Sequence, residues 1–88
     1  MTQLEALSWI AKTFDEPRDA ITPATNRDQI AAWDSLGTLT LMSDLDQHFG
    51  ILLTDEEIRS MRSVADILEV LRKHGKIAGL EHEIHPHR

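Results

Sequence analysis

The run Asp34-Ser35-Leu36-Gly37-Thr38-Leu39-Thr40-Leu41-Met42-Ser43-Asp44-Leu45-Asp46-Gln47-His48-Phe49-Gly50 carries a helix start, a helical period and a helix stop. Asp34 and Ser35 are both favoured N-cap residues, so the helix is expected to begin at one or the other. Leu36, Leu39, Met42, Leu45 and Phe49 recur at steps of three, three, three and four, which predicts one apolar face with Leu41 alongside. Gly50 fits the C′ position, where a left-handed backbone ends a helix. Asp44, Asp46 and Gln47 are expected on the solvent side.

Working towards the N-terminus, residues 15–33 form a long connection containing Pro17 and Pro23. A connection of that length in a small domain is usually functional or partly structured. Residues 28–32 could make a single helical turn, with Ile21 and Ile30 pinning the loop to the core. Before it, Thr2 and Glu5 have capping-box spacing, and Leu4, Leu7, Ile10, Ala11 and Phe14 form a stripe with Trp9 at its edge. The segment Asp15-Glu16-Pro17 ends this first helix, because proline cannot continue the hydrogen-bond ladder.

Towards the C-terminus, Ile51-Leu52-Leu53 reads as a buried connector, since no second strand is available to pair with it. Thr54 with Glu57 is a further capping box, opening a short helix through Ile58 and Met61. Ser63 with Asp66 opens the last helix, which turns Val64, Ile67, Leu68 and Leu71 inward. Lys73 and His74 suit its dipole and Gly75 closes it. The expected architecture is all-α: a four-helix bundle with three long helices, a short third one and a long loop between the first two. One domain is expected over residues 1–75. From 76 to 88 the stripe lapses and Pro86 intervenes, so a disordered tail is expected there; Leu80-Glu81-His82 is similar to an added affinity tail.

The totals limit what such a bundle can do. A chain of 88 residues buries only about 60–65% of its unfolded surface, room for one apolar seam but hardly for a deep substrate cavity. This favours a module that other proteins act on over a self-sufficient enzyme. With no cysteine there is no disulfide, thiolate metal site or cysteine nucleophile. The apolar stretches are short for a bilayer and Met1-Thr2-Gln3-Leu4-Glu5 lacks a secretory start, so a cytoplasmic monomer is expected. Fifteen acids stand against nine Lys and Arg. Asp28, Asp34, Asp44, Asp46, Asp55, Glu56 and Glu57 fall in a window, 28–58, that holds no Lys or Arg. Such a field disfavours nucleic acid and attracts basic partner surfaces, although an ordinary solvated face has the same composition.

Ser35 is the residue on which chemistry turns. It lies where the loop meets a helix N-terminus, and free backbone N–H groups and the helix dipole both stabilise a phosphate there. A serine in that place also serves as a cap with no further role. A hydrolase reading finds no Gly-x-Ser-x-Gly turn around it. His82, His85 and His87 sit in the expected tail without a supporting shell, so no metal site is expected. His48 and His74 lie near helix ends and read as structural.

Trp33-Asp34-Ser35-Leu36-Gly37, followed by Leu39, Leu41-Met42, Leu45 and Phe49-Gly50-Ile51, resembles the signature region of acyl carrier proteins. The resemblance continues through Thr54-Asp55-Glu56-Glu57 to Ser63-Val64-Ala65-Asp66-Ile67, covering roughly residues 2–74. It implies that Ser35 carries a 4′-phosphopantetheine arm whose thiol holds cargo as a thioester. Asp34 would be read by the phosphopantetheinyl transferase. Leu36 and Met42 would form a partner-facing rim, with charge from Asp44, Asp46, Glu56 and Glu57 for enzymes with basic docking surfaces. Gly37 departs from the many fatty-acid carriers that have an acid there, and Trp33 from those with a small residue. Both look more like stand-alone carriers of specialised pathways or aminoacyl carriers. The resemblance therefore implies a non-catalytic carrier for fatty-acid or polyketide-type biosynthesis, and the thin aliphatic core suggests a seam that loosens to shelter a long chain. An aminoacyl or peptidyl carrier, or an unmodified interaction module on the same scaffold, are the alternatives.

Overall fold

The structure, a computed structural model, describes residues 1–77. Four helices follow one another: α1 (Gln3–Thr13), α2 (Ser35–Phe49), α3 (Asp55–Ser60) and α4 (Val64–Lys73). The expected four-helix bundle is thus present, with a short third helix, and no strand occurs among the described residues. Of the expected tail, only Lys76 and Ile77 are described; the Met1 ammonium donates to the Lys76 carbonyl at 3.0 Å and Ile77 is buried. Residues 78–88, with His82, His85 and His87, lie outside the described residues.

Each helix begins where a side chain can satisfy its first free N–H groups. Thr2 with Glu5, Thr54 with Glu57 and Ser63 with Asp66 form complete capping boxes on α1, α3 and α4. The ends are equally explicit. Gly50 and Gly75 take left-handed backbone after α2 and α4, with φ of 67° and 72°. After α1 that conformation falls to Asp15 at φ 55°, and Glu16 N–H then reaches back to the Ala11 carbonyl at 2.8 Å. The helix stops by this closing turn, before Pro17 is reached.

The core is one cluster of aliphatic and aromatic side chains from all parts of the chain. Ile10, Leu41, Leu45, Ile67 and Leu71 are among its fully enclosed members, with α1 packed on both α2 and α4. Trp9 meets Phe49 edge to face at 5.0 Å, joining α1 to the far end of α2. Phe14 stacks on Trp33 at 5.2 Å, joining the end of α1 to the approach to α2.

Four leucines do not lie inward as expected, three of them placed there by helical spacing and Leu52 by its position in the connector. Leu4 (68% exposed), Leu36 (71%), Leu39 (59%) and Leu52 (74%) face solvent, while Ala6 takes the inward position on α1. The reason on α2 is geometric. Steps of three residues each fall about 60° short of a full turn, so three of them bring Leu45 about 180° from Leu36. Leu41 and Leu45, four apart, share the buried line instead. Asp44 also turns towards α1, accepting a hydrogen bond from Thr13 Oγ1 at 3.3 Å, rather than pointing freely into solvent.

The long connection is structured through most of its length. It contains two 3₁₀ turns, Arg18–Ala20 and Arg27–Gln29, the second one residue earlier than expected. Ile21 and Ile30 are buried as expected. Its middle is tied by backbone hydrogen bonds to the start of α4: Val64 N–H to Thr25, Ala65 N–H to Pro23, and Arg27 N–H to Arg62. The buried Thr25 hydroxyl donates to the Ala20 carbonyl, so the enclosed polar group is satisfied.

Candidate functional site

At the head of α2, Asp34 has extended backbone and its carboxylate accepts from Gly37 N–H at 2.9 Å. Its carbonyl accepts from both the N–H and the hydroxyl of Thr38. Asp34 is therefore the cap and Ser35 the first helical residue. The Ser35 side chain is exposed, and among the described residues its hydroxyl makes no hydrogen bond. The N–H groups of Ser35 and Leu36 are likewise unpartnered, as the first amides of a helix must be unless a side chain reaches them. The first turn of α2 contains no acid of its own. An exposed nucleophilic oxygen, two free amides and the positive end of a long helix thus meet at one point.

What holds this point in place comes from the loop before it. Trp33 is buried against Phe14, and its carbonyl accepts from Arg27 Nε at 3.1 Å. The Arg27 guanidinium also lies over the indole, 5.9 Å from the ring centre. Behind the first turn, the Ala32 carbonyl approaches Gly37 so closely that a Cβ on Gly37 would stand 1.7 Å from its oxygen. Gly37 and Trp33 are thus the residues that seat the loop against the helix. Sequence reasoning registered both only as departures from a pattern. A glycine in the first turn of a helix is the signal that could have marked the close approach, since its cost there needs a packing reason.

The residues expected to meet partners divide into two groups. Leu36, Asp46 and Glu56 are exposed and Met42 half-buried. Leu39, Met42, Ser43 and Asp46 of α2 share a shallow groove of about 310 Å³ with Ile51, Leu52 and Leu53. Asp34, Asp44 and Glu57 are engaged within the fold. The Glu57 carboxylate accepts from Thr54 N–H at 2.9 Å and pairs with Lys73 Nζ at 3.3 Å. The Thr54 backbone bond, against a smaller opposing effect of burial and helped by Lys73, holds its pKa below the usual carboxylate value of 4.5. Leu39 and Leu52 also reach this surface, although the helical period and the apolar connector point both to the interior. Among the described residues no group of three His, Cys, Asp or Glu is placed to hold a metal, and no helix is long and apolar enough to cross a membrane.

This arrangement has close counterparts. No protein-family model matches the chain. The acyl carrier protein of Syntrophobacter fumaroxidans is 31% identical over 71 residues, covering 81% of this chain and 88% of that protein. An acyl carrier protein homologue of Mycoplasmopsis pulmonis is 40% identical over 43 residues, 49% of this chain and 59% of its own length. The solution NMR structure of the holo acyl carrier protein from Geobacter metallireducens superposes with a TM-score of 0.71 at 29% identity, covering 100% of this chain and 99% of that one. Likeness of sequence and fold along nearly the whole length of such relatives means that the chain belongs to the acyl carrier protein family, as a carrier of the phosphopantetheine-arm type acted on by partner enzymes rather than a catalyst.

Proposed function

We propose that the arm is attached at Ser35 Oγ as a 4′-phosphopantetheine phosphodiester, and that the chain carries acyl intermediates of fatty-acid or polyketide-type biosynthesis on its thiol. The observation that carries this reading is the division of labour between Asp34 and Ser35: the aspartate takes the cap, leaving the serine hydroxyl exposed and unengaged. A phosphate there would accept from the Ser35 and Leu36 amides in the favourable field of the helix end. The chain has no cysteine, so the thiol must come from the arm.

Partner enzymes of the cytoplasm, the phosphopantetheinyl transferase first, would approach a monomer over the outer face of α2. Leu36, Leu39, Met42 and Leu52 offer apolar contact, and Asp46 and Glu56 offer charge to basic docking surfaces. Asp34 contributes through the shape of the cap, and Asp44 and Glu57 less than their charges suggest.

Intact-mass measurement after incubation with coenzyme A and a broad-specificity transferase tests the assignment. Wild type should gain one phosphopantetheine and Ser35→Ala none. No gain by wild type removes the attachment, and gain by both proteins assigns it to another residue. Loading assays with acyl-transferring and amino-acid-activating enzymes then identify the cargo; loading by the latter alone replaces the acyl reading.

A further inference from the structure

On the side of the molecule where the loop meets α4, the charge changes sign. Arg27, Arg59 and Arg62 line one open pocket of about 470 Å³ together with Asn26 and Asp28. Three of the nine basic residues of an otherwise acidic chain are thus gathered around a single carboxylate. They come from three places: the second 3₁₀ turn, the end of α3 and the link before α4.

The grouping is built into the backbone. Arg27 N–H donates to the Arg62 carbonyl at 2.8 Å, beside an isolated antiparallel bridge between Asn26 and Ser63. These bonds hold two like charges side by side. Arg27 is further oriented by its Nε bond to the Trp33 carbonyl and by the indole beneath its guanidinium, and its two terminal nitrogens make no hydrogen bond among the described residues. The guanidiniums of Arg59 and Arg62 have no hydrogen-bond or ion-pair partner among the described residues, and neither does the Asp28 carboxylate. Arg59 gains something from the C-terminus of α3, but that interaction leaves all its donors free. By contrast, Arg72 bonds Glu69 and Arg18 bonds the Ile21 carbonyl.

We propose that Arg27, Arg59 and Arg62 form a binding site for a phosphate group. Three planar forks from different segments that line one pocket suit a tetrahedral oxyanion, whose oxygens can pair with guanidinium forks two at a time and whose charge exceeds one; a monovalent halide offers neither. The pocket has room for a phosphate with an attached group. That group belongs either to a nucleotide, as in the bisphosphate half of coenzyme A, or is absent, as in the free ion. The site is separate from the Ser35 hydroxyl and does not require that Ser35 be modified.

The test is an amide ¹H–¹⁵N titration of the whole chain with sodium phosphate, adenosine 3′,5′-bisphosphate or sodium chloride at matched ionic strength, repeated with a poly-glutamate peptide. Saturable shifts of Asn26, Arg27, Arg62 and Ser63 with either phosphate compound are expected, and a linear response to chloride. The double variant Arg59→Gln/Arg62→Gln, which removes no internal hydrogen bond or ion pair, should bind about tenfold more weakly or worse while the rest of its spectrum is unchanged. Tighter saturation by the bisphosphate assigns the site to a nucleotide, and equal saturation to the free ion. Matching responses to chloride and phosphate overturn the proposal. So does undiminished binding by the double variant, or saturation by poly-glutamate alone, which would make the patch a protein-docking surface.

Discussion

Gly37 has no room for a side chain. Alanine is the better helix former by about 1 kcal/mol, so propensity alone would make Gly37→Ala stabilising. The atom its Cβ would meet, however, is the backbone oxygen of Ala32, which cannot swing aside as the end of a long side chain can. We expect Gly37→Ala to destabilise the fold by about 1–3 kcal/mol, as overpacked sites do. Urea denaturation measures it, and a variant as stable as wild type would mean that the loop yields freely. Trp33 illustrates the same point. Its identity is plain in the sequence, but its place against Phe14 depends on the path of the loop, which no local pattern specifies.

At the scale of elements, helix ends were legible and one helix face was not. Capping boxes and terminal glycines are local chemistry, and Thr2, Thr54, Ser63, Gly50 and Gly75 act as their sequence neighbours imply. The outward face of α2 was misread because its leucines are numerous enough to draw a stripe that slowly winds around the helix. That face gives a prediction of its own. Leu39→Ala and Leu52→Ala should leave stability within about 0.5 kcal/mol of wild type, as exposed substitutions usually do. Both should lower the kcat/KM of phosphopantetheine transfer to the protein. A strong loss of stability, or an unchanged transfer rate, would remove these leucines from the docking face.

Glu57 links α3 to the end of α4 through Lys73, and its depressed pKa gives the link a definite pH dependence. A carboxyl more acidic in the folded chain than in the unfolded one adds stability above about pH 4.5, lost as pH falls through the folded value. Glutamine can keep the capping bond to Thr54 but not the charge. Glu57→Gln should therefore be less stable near neutrality, by at most about 1 kcal/mol for a pair whose lysine stands in solvent. The gap should close as the pH falls below 4.5 and through the folded-state pKa. Urea midpoints across that range decide it; a constant gap would refer the effect to the cap alone.

The whole molecule is less uniformly acidic than its net charge of −6 implies. Several acids of the 28–58 window are turned inward or paired, while Arg27, Arg59 and Arg62 interrupt the field on another side. Partner association should therefore slow as salt rises, but shallowly, since apolar contact is insensitive to screening. Stopped-flow association with the transferase measures the slope. A steep decline would return the dominant role to charge, and none at all would deny Asp46 and Glu56 any part.

The backbone ties from Thr25, Pro23 and Arg27 to residues 62–65 reach across α2 and α3 in the chain. Such contacts close large loops and form only when distant segments have already come together. The middle of the connection and the first turn of α4 should consequently open and close together in hydrogen exchange, as one cooperative unit. A segment that looks in one dimension like a pliable tether belongs, kinetically, to the last helix.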